Sequence, residues 1–366
     1  MLILGIETSC DETAAAVVRD GQEILSNVVV SQIDIFAEYG GVIPEVAARS
    51  HLEVVLPVID RALADAGCSW DEIDAVAVTH APGLLGSLLI GTLTARTLAI
   101  LHNKPLYAVH HLKSHVYANW LGSSLRELPQ NTITDRYELL FPLLALVVSG
   151  GHTQILYMPA HNRFEIVGTT HDDAVGECFD KVAKILGLPY PGGPAIARAA
   201  AGELPEKMLG GESVHAGDAT HYKLPHPRVE GLDFSFSGLK TAVLRAVQKE
   251  VGVPISFPSH ELKGLLSPQQ VCDFAASFQR TAVEILCEKL GLALEQYPDT
   301  QSVVVAGGVS ANELLREMLP EAYFPAPKFS GDNGAMVAAA CYYEIQSGVE
   351  PVDPYKLNIY PRVEIG

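Results

Sequence analysis

Two histidines, His111 and His115, stand four residues apart in a segment that is predicted to be helical. This spacing places both imidazoles on one face of a helix, roughly 6 Å apart, which suits joint binding of one metal ion. The chain holds 13 histidines, so a chance pair without a metal explains the same spacing. From these residues alone, a metal pair and two ordinary histidines are both open.

Two glycine pairs that follow predicted strands form a second kind of candidate site. Gly150 and Gly151 are flanked by Ser149 and His152, and a further pair follows the predicted strand Ser302 to Ala306. Adjacent glycines let backbone N–H groups approach a phosphate or carboxylate, and a helix N-terminus after the second pair would favour an anion. The alternatives are a plain hairpin turn in the first case and a strand-to-helix turn in the second.

Acidic residues at predicted helices are the third group of candidates. Asp332 stands where the last helix is predicted to begin, so its carboxylate is either an N-cap or a ligand. Asp180 and Lys181 adjoin on another predicted helix, and a solvated charge pair is their simplest interpretation. The residues alone leave the metal site without an assigned carboxylate.

Positioning these residues requires two similar sets of elements. Apolar periodicity predicts the first set as strands over Leu2–Glu7, Ala14–Val18, Ile24–Val30, Ala75–Val78 and Leu106–Val109, with helices over Val46–Leu63, Gly86–His102 and His111–Leu121. It predicts the second set as strands over Leu143–Val148, Thr153–Met158, Phe164–Thr169 and Ser302–Ala306, with helices over Gly176–Leu186, from Ser267 onward and from Asp332 to before Gly348.

The duplicated order of elements predicts an α/β, two-lobed fold of the actin and sugar-kinase class, with duplicated RNase H-like βββαβα cores and a central cleft. The polar segment Gly122 to Tyr137 is the predicted boundary. The N-terminal lobe is expected over 1–125, completed by a C-terminal helix within 331–366. The second lobe is expected over 138–330, with an irregular insertion at 201–236.

Composition restricts the class of protein. Apolar residues form 48% of the 366-residue chain and charged residues 19%, which is typical of well-buried cores and excludes a disordered chain. Six cysteines without a Cys-x-x-Cys pair indicate reduced thiols. The apolar start resembles a buried strand and the stretch Leu84 to Leu101 contains Arg96, so we expect a cytoplasmic protein without a membrane segment. The net charge of −18 repels a polyanion at long range.

Several motifs together resemble the TsaD family, formerly called glycoproteases. The most specific is the run that joins Arg96-Thr97, His102-Asn103 and Pro105 to His111 and Ser114-His115. Seven further segments are also similar to the family: Glu7–Thr13 (ETSCDET), Ser149–Thr153 (SGGHT), Gly176–Lys181, Pro191–Pro194, Phe234–Lys240, Val303–Asn312 and Phe329–Met336. The resemblance runs from residue 3 to about 340; Ala81 before Pro82 departs from it, since the family has glycine there.

The resemblance implies transfer of a threonylcarbamoyl group from threonylcarbamoyl-AMP to N6 of the adenosine 3′ to the anticodon, in tRNAs that read ANN codons. It implies one divalent metal ion, Fe(II) favoured and Zn(II) possible, held by His111, His115 and Asp332. The substrate-binding residues that it implies are Val147, Val148, Ser149, Gly150, Gly151, Asp180, Gly193 and Asn312. Position alone suggests Asp11 or Glu12 as acceptor of the amine proton.

The partners implied by the resemblance are tRNA, a TsaB-like paralogue and a TsaE-like ATPase, with ATP or ADP as further occupants of the adenylate site. Because the chain is acidic, we expect tRNA to bind a composite surface near the candidate cations Lys113, Lys181 and Lys184.

Three alternative functions remain at this point. A small-molecule kinase, acting on a sugar or carboxylate, would use the glycine loops and leave the histidine pair idle. A zinc protease would need a glutamate where Leu112 stands. A nucleotide-dependent scaffold would need no metal.

Overall fold

The computed structural model describes residues 1–122, 139–227 and 229–365, so nearly all of the predicted boundary segment lies outside the described residues. The first sheet is five-stranded, in the order β3-β2-β1-β4-β5, with β2 antiparallel to its neighbours and β4 and β5 parallel to β1. Its strands are β1 (Leu2–Glu7), β2 (Glu12–Arg19), β3 (Glu23–Ser31), β4 (Ala75–Ala81) and β5 (Leu106–His110). Its helices are α1 (Ile33–Tyr39), α2 (Pro44–Ala66), α3 (Leu85–Leu101) and α4 (His111–Tyr117).

The second sheet repeats the order as β8-β7-β6-β9, with β9 parallel to β6. Its strands are β6 (Leu143–Val148), β7 (Thr153–Ala160), β8 (Arg163–Thr169) and β9 (Ser302–Ala306). In the described part of the chain, the place of a fifth strand is taken by one parallel bridge between Val304 and Tyr323. The duplication predicted from the sequence is therefore confirmed, with a shortened second copy.

Among the described residues, six α-helices accompany the second sheet and a seventh returns to the first. The six are α5 (Val175–Ile185), α6 (Gly192–Ala200), α7 (Glu206–Leu209), α8 (Ser237–Glu250), α9 (Pro268–Gln296) and α10 (Glu313–Met318). The seventh, α11 (Gly334–Gln346), packs on β1 and β2. A Cβ on Gly5 would lie 2.2 Å from the Gly334 carbonyl oxygen, so this contact requires glycine. The segment before α11 is thereby held against the first sheet, although the lobe boundaries themselves stay a prediction.

Helix α4 lies where the two sheets meet. It contacts α11 on one side and β6 and β9 on the other. Its last residue, Tyr117, is fully buried and stacks on Tyr343 of α11 at 5.0 Å between ring centroids. A helix enclosed on several sides holds its side chains in fixed rotamers, which is what a ligand-bearing helix needs.

Among the described residues of 201–236, the helical part is the four residues of α7. The end of this range is anchored by the Phe234–Lys240 segment, for which the sequence indicated no chemical role. Phe234 and Phe236 are fully buried, and the Asp172 carboxylate accepts hydrogen bonds from the Phe236 N–H (2.8 Å) and the Ser235 hydroxyl (2.6 Å). This segment therefore fixes the start of α8.

Three expectations from the sequence can be compared with the structure. Among the described residues, no helix is long and apolar enough to cross a membrane. All six cysteines are described and none forms a disulfide. The apolar stripe predicted along α2 is only partly buried: Val55 and Ile59 lie in the core, whereas Leu52 is 66% exposed and Leu56 53% exposed.

Candidate metal centre and cleft

The two histidines predicted to share a helix face do so. β5 ends at His110, whose imidazole Nδ1 accepts from the Leu112 N–H and so caps the start of α4. His111 and His115 are both buried, and their ring centroids are 4.6 Å apart in an edge-on arrangement. The helical spacing alone produces this pairing.

Asp332 completes the group from 217 residues beyond His115 in the chain. Its Oδ1 lies 3.1 Å from His115 Nε2 and 3.6 Å from His111 Nε2, and one ligand atom from each residue falls within 4.8 Å of the others. The N-cap interpretation of Asp332 is wrong, because the cap is Asn333, which accepts from the Met336 N–H. The carboxylate of Asp332 is thereby left to face the imidazoles.

The residues present fit a divalent cation. Both ring nitrogens of His115 are fully buried and make no hydrogen bond within the described chain. A buried polar atom without a partner costs roughly 1–3 kcal/mol, and a cation bound at Nε2 would remove that cost. Two imidazoles and one carboxylate suit Fe(II) or Zn(II), with coordination positions left open for substrate.

Glu7 orients His111 from behind, a role that sequence reasoning missed. Its Oε2 lies 3.2 Å from His111 Nδ1, and the Ser9 hydroxyl lies at the same distance from that nitrogen. Glu7 is fully buried and also accepts from the Thr79 hydroxyl at 2.6 Å. With Nδ1–H donated to Glu7, the lone pair of Nε2 is directed at the metal position. The sequence did hold a signal for this role, because Glu7 is an acidic residue at the end of the otherwise apolar strand β1.

Opposite charges concentrate at this centre. Burial alone would lower the pKa of His111, but Asp332 and Glu7 raise it above the usual value. Burial acts against ionisation of Asp332 as well, yet His111 and His115 hold the pKa of its carboxyl low. The ionised carboxylates of Glu7 and Asp332 create a negative potential around the His111 imidazole, which favours a cation. A metal ion would therefore compete with the proton on His111.

We expect Glu7→Gln to weaken metal binding about 10- to 100-fold, which is the usual effect of losing the carboxylate behind a histidine ligand. The amide leaves the packing almost unchanged but no longer favours one tautomer of His111. Competition titration with a chelator measures the affinity. Thr79→Val, which removes only a hydroxyl bonded to Glu7, should change it far less. Equal affinities for Glu7→Gln and the unaltered protein would contradict the orienting role.

The Ser149-Gly-Gly loop is an open cradle beside α5. The Ser149 N–H donates to the His152 carbonyl, and the Ser149 carbonyl accepts from the Gly176 N–H. A Cβ on Gly150 or Gly151 would meet nothing within 4 Å. The side chains of Val147 and Val148 are fully buried, so these two residues offer only backbone atoms to a ligand. The loop thus leaves room for a group to approach its backbone.

His152 of this loop lies close to the metal centre and was also missed as a site residue. Burial, followed by the charges of His111 and His115, lowers the pKa of His152 to about 4. A neutral imidazole therefore borders the site at neutral pH. Because it comes from the second sheet, it links the glycine loop to the ligands on α4.

The charge-pair interpretation of Asp180 and Lys181 is wrong. Asp180 accepts from the Gly192 N–H at 2.6 Å, while Lys181 pairs with Asp173 (2.7 Å) and Glu177 (2.9 Å). Burial raises the pKa of Asp180 to about 6. Gly193, next to the bonded N–H, has open space where a Cβ would lie. Asp180 therefore holds the start of α6, with Gly193 beside it.

Asn312 is already engaged within the protein. Its Oδ1 accepts from the Leu315 N–H at 3.1 Å, which caps α10, and its Nδ2 donates to Gln279 at 3.1 Å. The glycine pair before it turns tightly: Gly307 has φ of +90°, and a Cβ there would lie 2.4 Å from the Val148 carbonyl oxygen. This strand-to-helix turn therefore packs directly against the end of β6.

Asp11 and Glu12 lie at the start of β2, on the first lobe's side of the cleft. The Glu12 carboxylate accepts from the Ser31 hydroxyl at 3.1 Å. Burial raises the pKa of Glu12 well above its usual value, and the charges of Asp332 and Asp11 add to the effect. The charge of Asp11 also contributes, after burial, to the raised pKa of Asp180 on α5.

The three candidate cations for RNA differ in availability. Lys113 donates to Asn162 at 3.3 Å and lies 5.3 Å from the centroid of the Phe164 ring, so it is held inside the protein. Lys181 is in its two ion pairs. Lys184 is exposed near the end of α5. Of the three, Lys184 is the one that is exposed and in no ion pair with any described residue, and a role of these lysines in RNA binding stays a prediction.

The fold and site together define a two-lobed α/β protein of the actin and sugar-kinase class, with a two-histidine, one-carboxylate group that could hold a metal ion. HypF from T. kodakarensis shares the fold, with a TM-score of 0.54 at 15% identity, covering 95% of this chain and 48% of HypF. The sequence model described as TsaD, tRNA N6-adenosine threonylcarbamoyltransferase, matches residues 23–339. The chain belongs to this family, as its motifs predicted.

Relatives that carry the name tRNA N6-adenosine threonylcarbamoyltransferase match over nearly the full length. The protein of Symbiobacterium thermophilum is 46% identical and covers 100% of this chain and 97% of itself. That of Thermomicrobium roseum is 45% identical over 95% of this chain and 93% of itself. Similarity at this level extends through both lobes.

Proposed function

We propose that this chain transfers a threonylcarbamoyl group from threonylcarbamoyl-AMP to N6 of the adenosine 3′ to the anticodon, in tRNAs that read ANN codons. The main support is that this chain belongs to the tRNA N6-adenosine threonylcarbamoyltransferase family and that His111, His115 and Asp332 lie around one point. Membership in that family supports an acyltransferase over a small-molecule kinase. A protease is disfavoured by Leu112, which cannot act as a general base.

The reaction needs help because the N6 lone pair is delocalised into the adenine ring. A divalent cation held by His111, His115 and Asp332 would supply Lewis-acid stabilisation of the charge that develops during transfer. The backbone of the Ser149-Gly-Gly loop binds the adenylate without interference from side chains, since both glycines face open space. Asp180 and Gly193 contribute the opposite wall, and Asn312 keeps the Gly307 turn in shape.

Glu12 accepts the proton of the attacking amine in this proposal, with Asp11 as the alternative acceptor. A bond forms between N6 and the carbamoyl carbon, the bond from that carbon to the phosphate oxygen breaks, and AMP leaves with the electron pair. Burial raises the pKa of Glu12, which makes its carboxylate a stronger base once it is ionised. Fe(II) is favoured over Zn(II) by the open two-histidine, one-carboxylate set.

Mass spectrometry of tRNA nucleosides tests the function. The assay contains unmodified tRNA, threonine, bicarbonate, ATP, an adenylate-forming enzyme, this chain and its partner proteins. We expect N6-threonylcarbamoyladenosine to form only when this chain is present and loaded with metal. Absence of the nucleoside from the complete mixture, together with ATP-dependent phosphorylation of a sugar or carboxylate, would favour the kinase instead.

A TsaB-like paralogue and a TsaE-like ATPase are the proposed protein partners, in a cytoplasmic setting. What supports a docking partner is a face of two adjoining helices, α2 and α3, that exposes apolar rows. The rows contain Leu52 (66% exposed), Leu56 (53%), Leu85 (58%), Leu89 (43%) and Leu93 (44%). The helices pack closely, since a Cβ on Gly86 would lie 2.9 Å from the Ala48 Cβ. We propose this leucine face as the paralogue's contact.

We expect this chain alone to bind tRNA weakly, and more tightly with the paralogue. The net charge of −18 opposes approach of the phosphate backbone, so a second protein must supply part of the surface. Filter binding at several salt concentrations measures both states. Leu56→Asp should remove the gain by preventing assembly, whereas Leu292→Asp, an exposed leucine on α9, should not. Tight binding by the lone chain at physiological salt would refute the composite surface.

A further inference from the structure

The end of the chain crosses the first lobe as an ordered strap, which we define as residues 349–365. The Val352 N–H donates to the Leu106 carbonyl at 2.8 Å, beside the start of β5. The Tyr360 N–H donates to the His80 carbonyl at 3.0 Å, and the Pro361 carbonyl accepts from the Gly83 N–H at 3.3 Å. These bonds lead the strap from the amino end of β5 to the carboxyl end of β4.

The far end of the strap is fixed next to the metal centre. His110 Nε2 lies 3.4 Å from the Val363 carbonyl, and His110 is the residue immediately before the ligand His111. Ile365 is 4% exposed and belongs to the core that also contains Leu112. The strap therefore lies against the helix that carries two of the three ligands, at the edge of the sheet where parallel strands end and ligands bind in open α/β folds.

Within the strap, the stretch between Asp353 and Glu364 has a composition unlike the rest of this acidic chain. Residues 355–362 contain two tyrosines, one lysine, one arginine and no acid. Tyr355 is 74% exposed and Tyr360 46% exposed, with Tyr360 supported from below by an edge-on contact to His80 at 5.9 Å. Arg362 is exposed and is in no ion pair with any residue that the structure describes. Lys356 pairs with Asp353 at 3.4 Å on the surface.

We propose that residues 360–362, at the end of the strap beside the metal centre, form a contact surface for the anticodon loop of tRNA. Exposed tyrosines stack unpaired bases, and the neighbouring cations bind the phosphates between them. A target adenosine that reaches the metal must leave its stack, so the adjacent nucleotides need a rigid support close to that site. The strap supplies one because backbone bonds hold it to β4 and β5. This inference rests on the proposed function, since it assumes an RNA substrate.

The test uses the full chain, loaded with metal and assembled with its partners, and an unmodified tRNA. We expect Tyr360→Ala to raise the dissociation constant for tRNA at least five-fold, as for loss of one stacked base. Arg362→Ala should weaken binding and lower the slope of log K against log salt by about 0.7–0.9. Arg61→Ala is the matched control: it removes the same charge from α2, near the amino ends of the strands, and should change neither quantity.

Metal content, thermal stability and adenylate affinity are measured on the same variants, and all three should equal those of the unaltered protein. Unchanged tRNA affinity and salt slope in Tyr360→Ala and Arg362→Ala would overturn the proposal. So would a loss of metal or of partner assembly that accounts for the weaker binding, because the strap would then be a structural or protein contact. Failure of the unaltered complex to form the modified nucleoside would count against the proposed function rather than against the strap.

Discussion

His115→Ala should lose its metal ion and its transferase activity while keeping its fold, and His111→Ala should do the same. Each substitution removes one of the two nitrogen ligands from a site in which Asp332 is the third member. A remaining imidazole and carboxylate cannot hold a divalent cation tightly enough for a catalytic site. We expect the fold of His115→Ala to persist because Nδ1 makes no hydrogen bond within the described chain and Nε2 faces the Asp332 carboxylate at 3.1 Å, so the loss is confined to this site.

Metal per chain after anaerobic reconstitution, nucleoside mass spectrometry and circular dichroism give the three readouts. His102→Ala is the matched control. His102 is not part of the metal centre: its ring stacks on Trp70, with 4.1 Å between the ring centroids. That variant should retain metal and activity. If either His111→Ala or His115→Ala keeps full metal content and full activity, the metal assignment is wrong. Loss of metal without loss of activity would leave the ligands assigned but remove the ion from the reaction.

The sequence could predict those features of the site that depend on one helix or one strand alone. The pairing of His111 with His115 follows from helical geometry, since four residues on a helix bring two side chains to one face. Asp332 could be assigned only through the family resemblance, because its approach depends on α11 returning to the first sheet. Glu7 was missed for the same reason: it reaches His111 across 104 residues of chain.

The partners of charged side chains on helices were the features that neighbouring residues in the sequence predicted least well. Asp180 and Lys181 adjoin in sequence, yet Asp180 bonds the Gly192 N–H and Lys181 turns to Asp173 and Glu177. Lys113, suggested for RNA, is held by Asn162 from the second lobe. A side chain's partner is chosen by whichever group folding brings nearest. By contrast, the succession of strands and helices along the chain was predictable, because apolar periodicity is a property of each segment by itself.

Gly151→Val should weaken binding of the adenylate about 10- to 150-fold without unfolding the protein. A Cβ at this position meets nothing within 4 Å, and the backbone there is not left-handed, so valine is accommodated. The same open space is where the proposed adenylate approaches the loop. The added methyl groups would displace it from at least one backbone N–H, and a hydrogen bond to a charged group contributes about 1.5–3 kcal/mol.

Calorimetry with a non-hydrolysable adenylate analogue measures this affinity, and thermal denaturation checks the fold. Gly151→Ala should give a smaller loss, since one methyl group excludes less of the space. Gly291→Val on α9, another glycine with open surroundings, should leave the affinity unchanged and so control for the cost of valine itself. Undiminished affinity in folded Gly151→Val would show that the Ser149-Gly-Gly loop is only a hairpin turn. The adenylate would then have to bind along the wall formed by Asp180, Gly193 and the Gly307 turn.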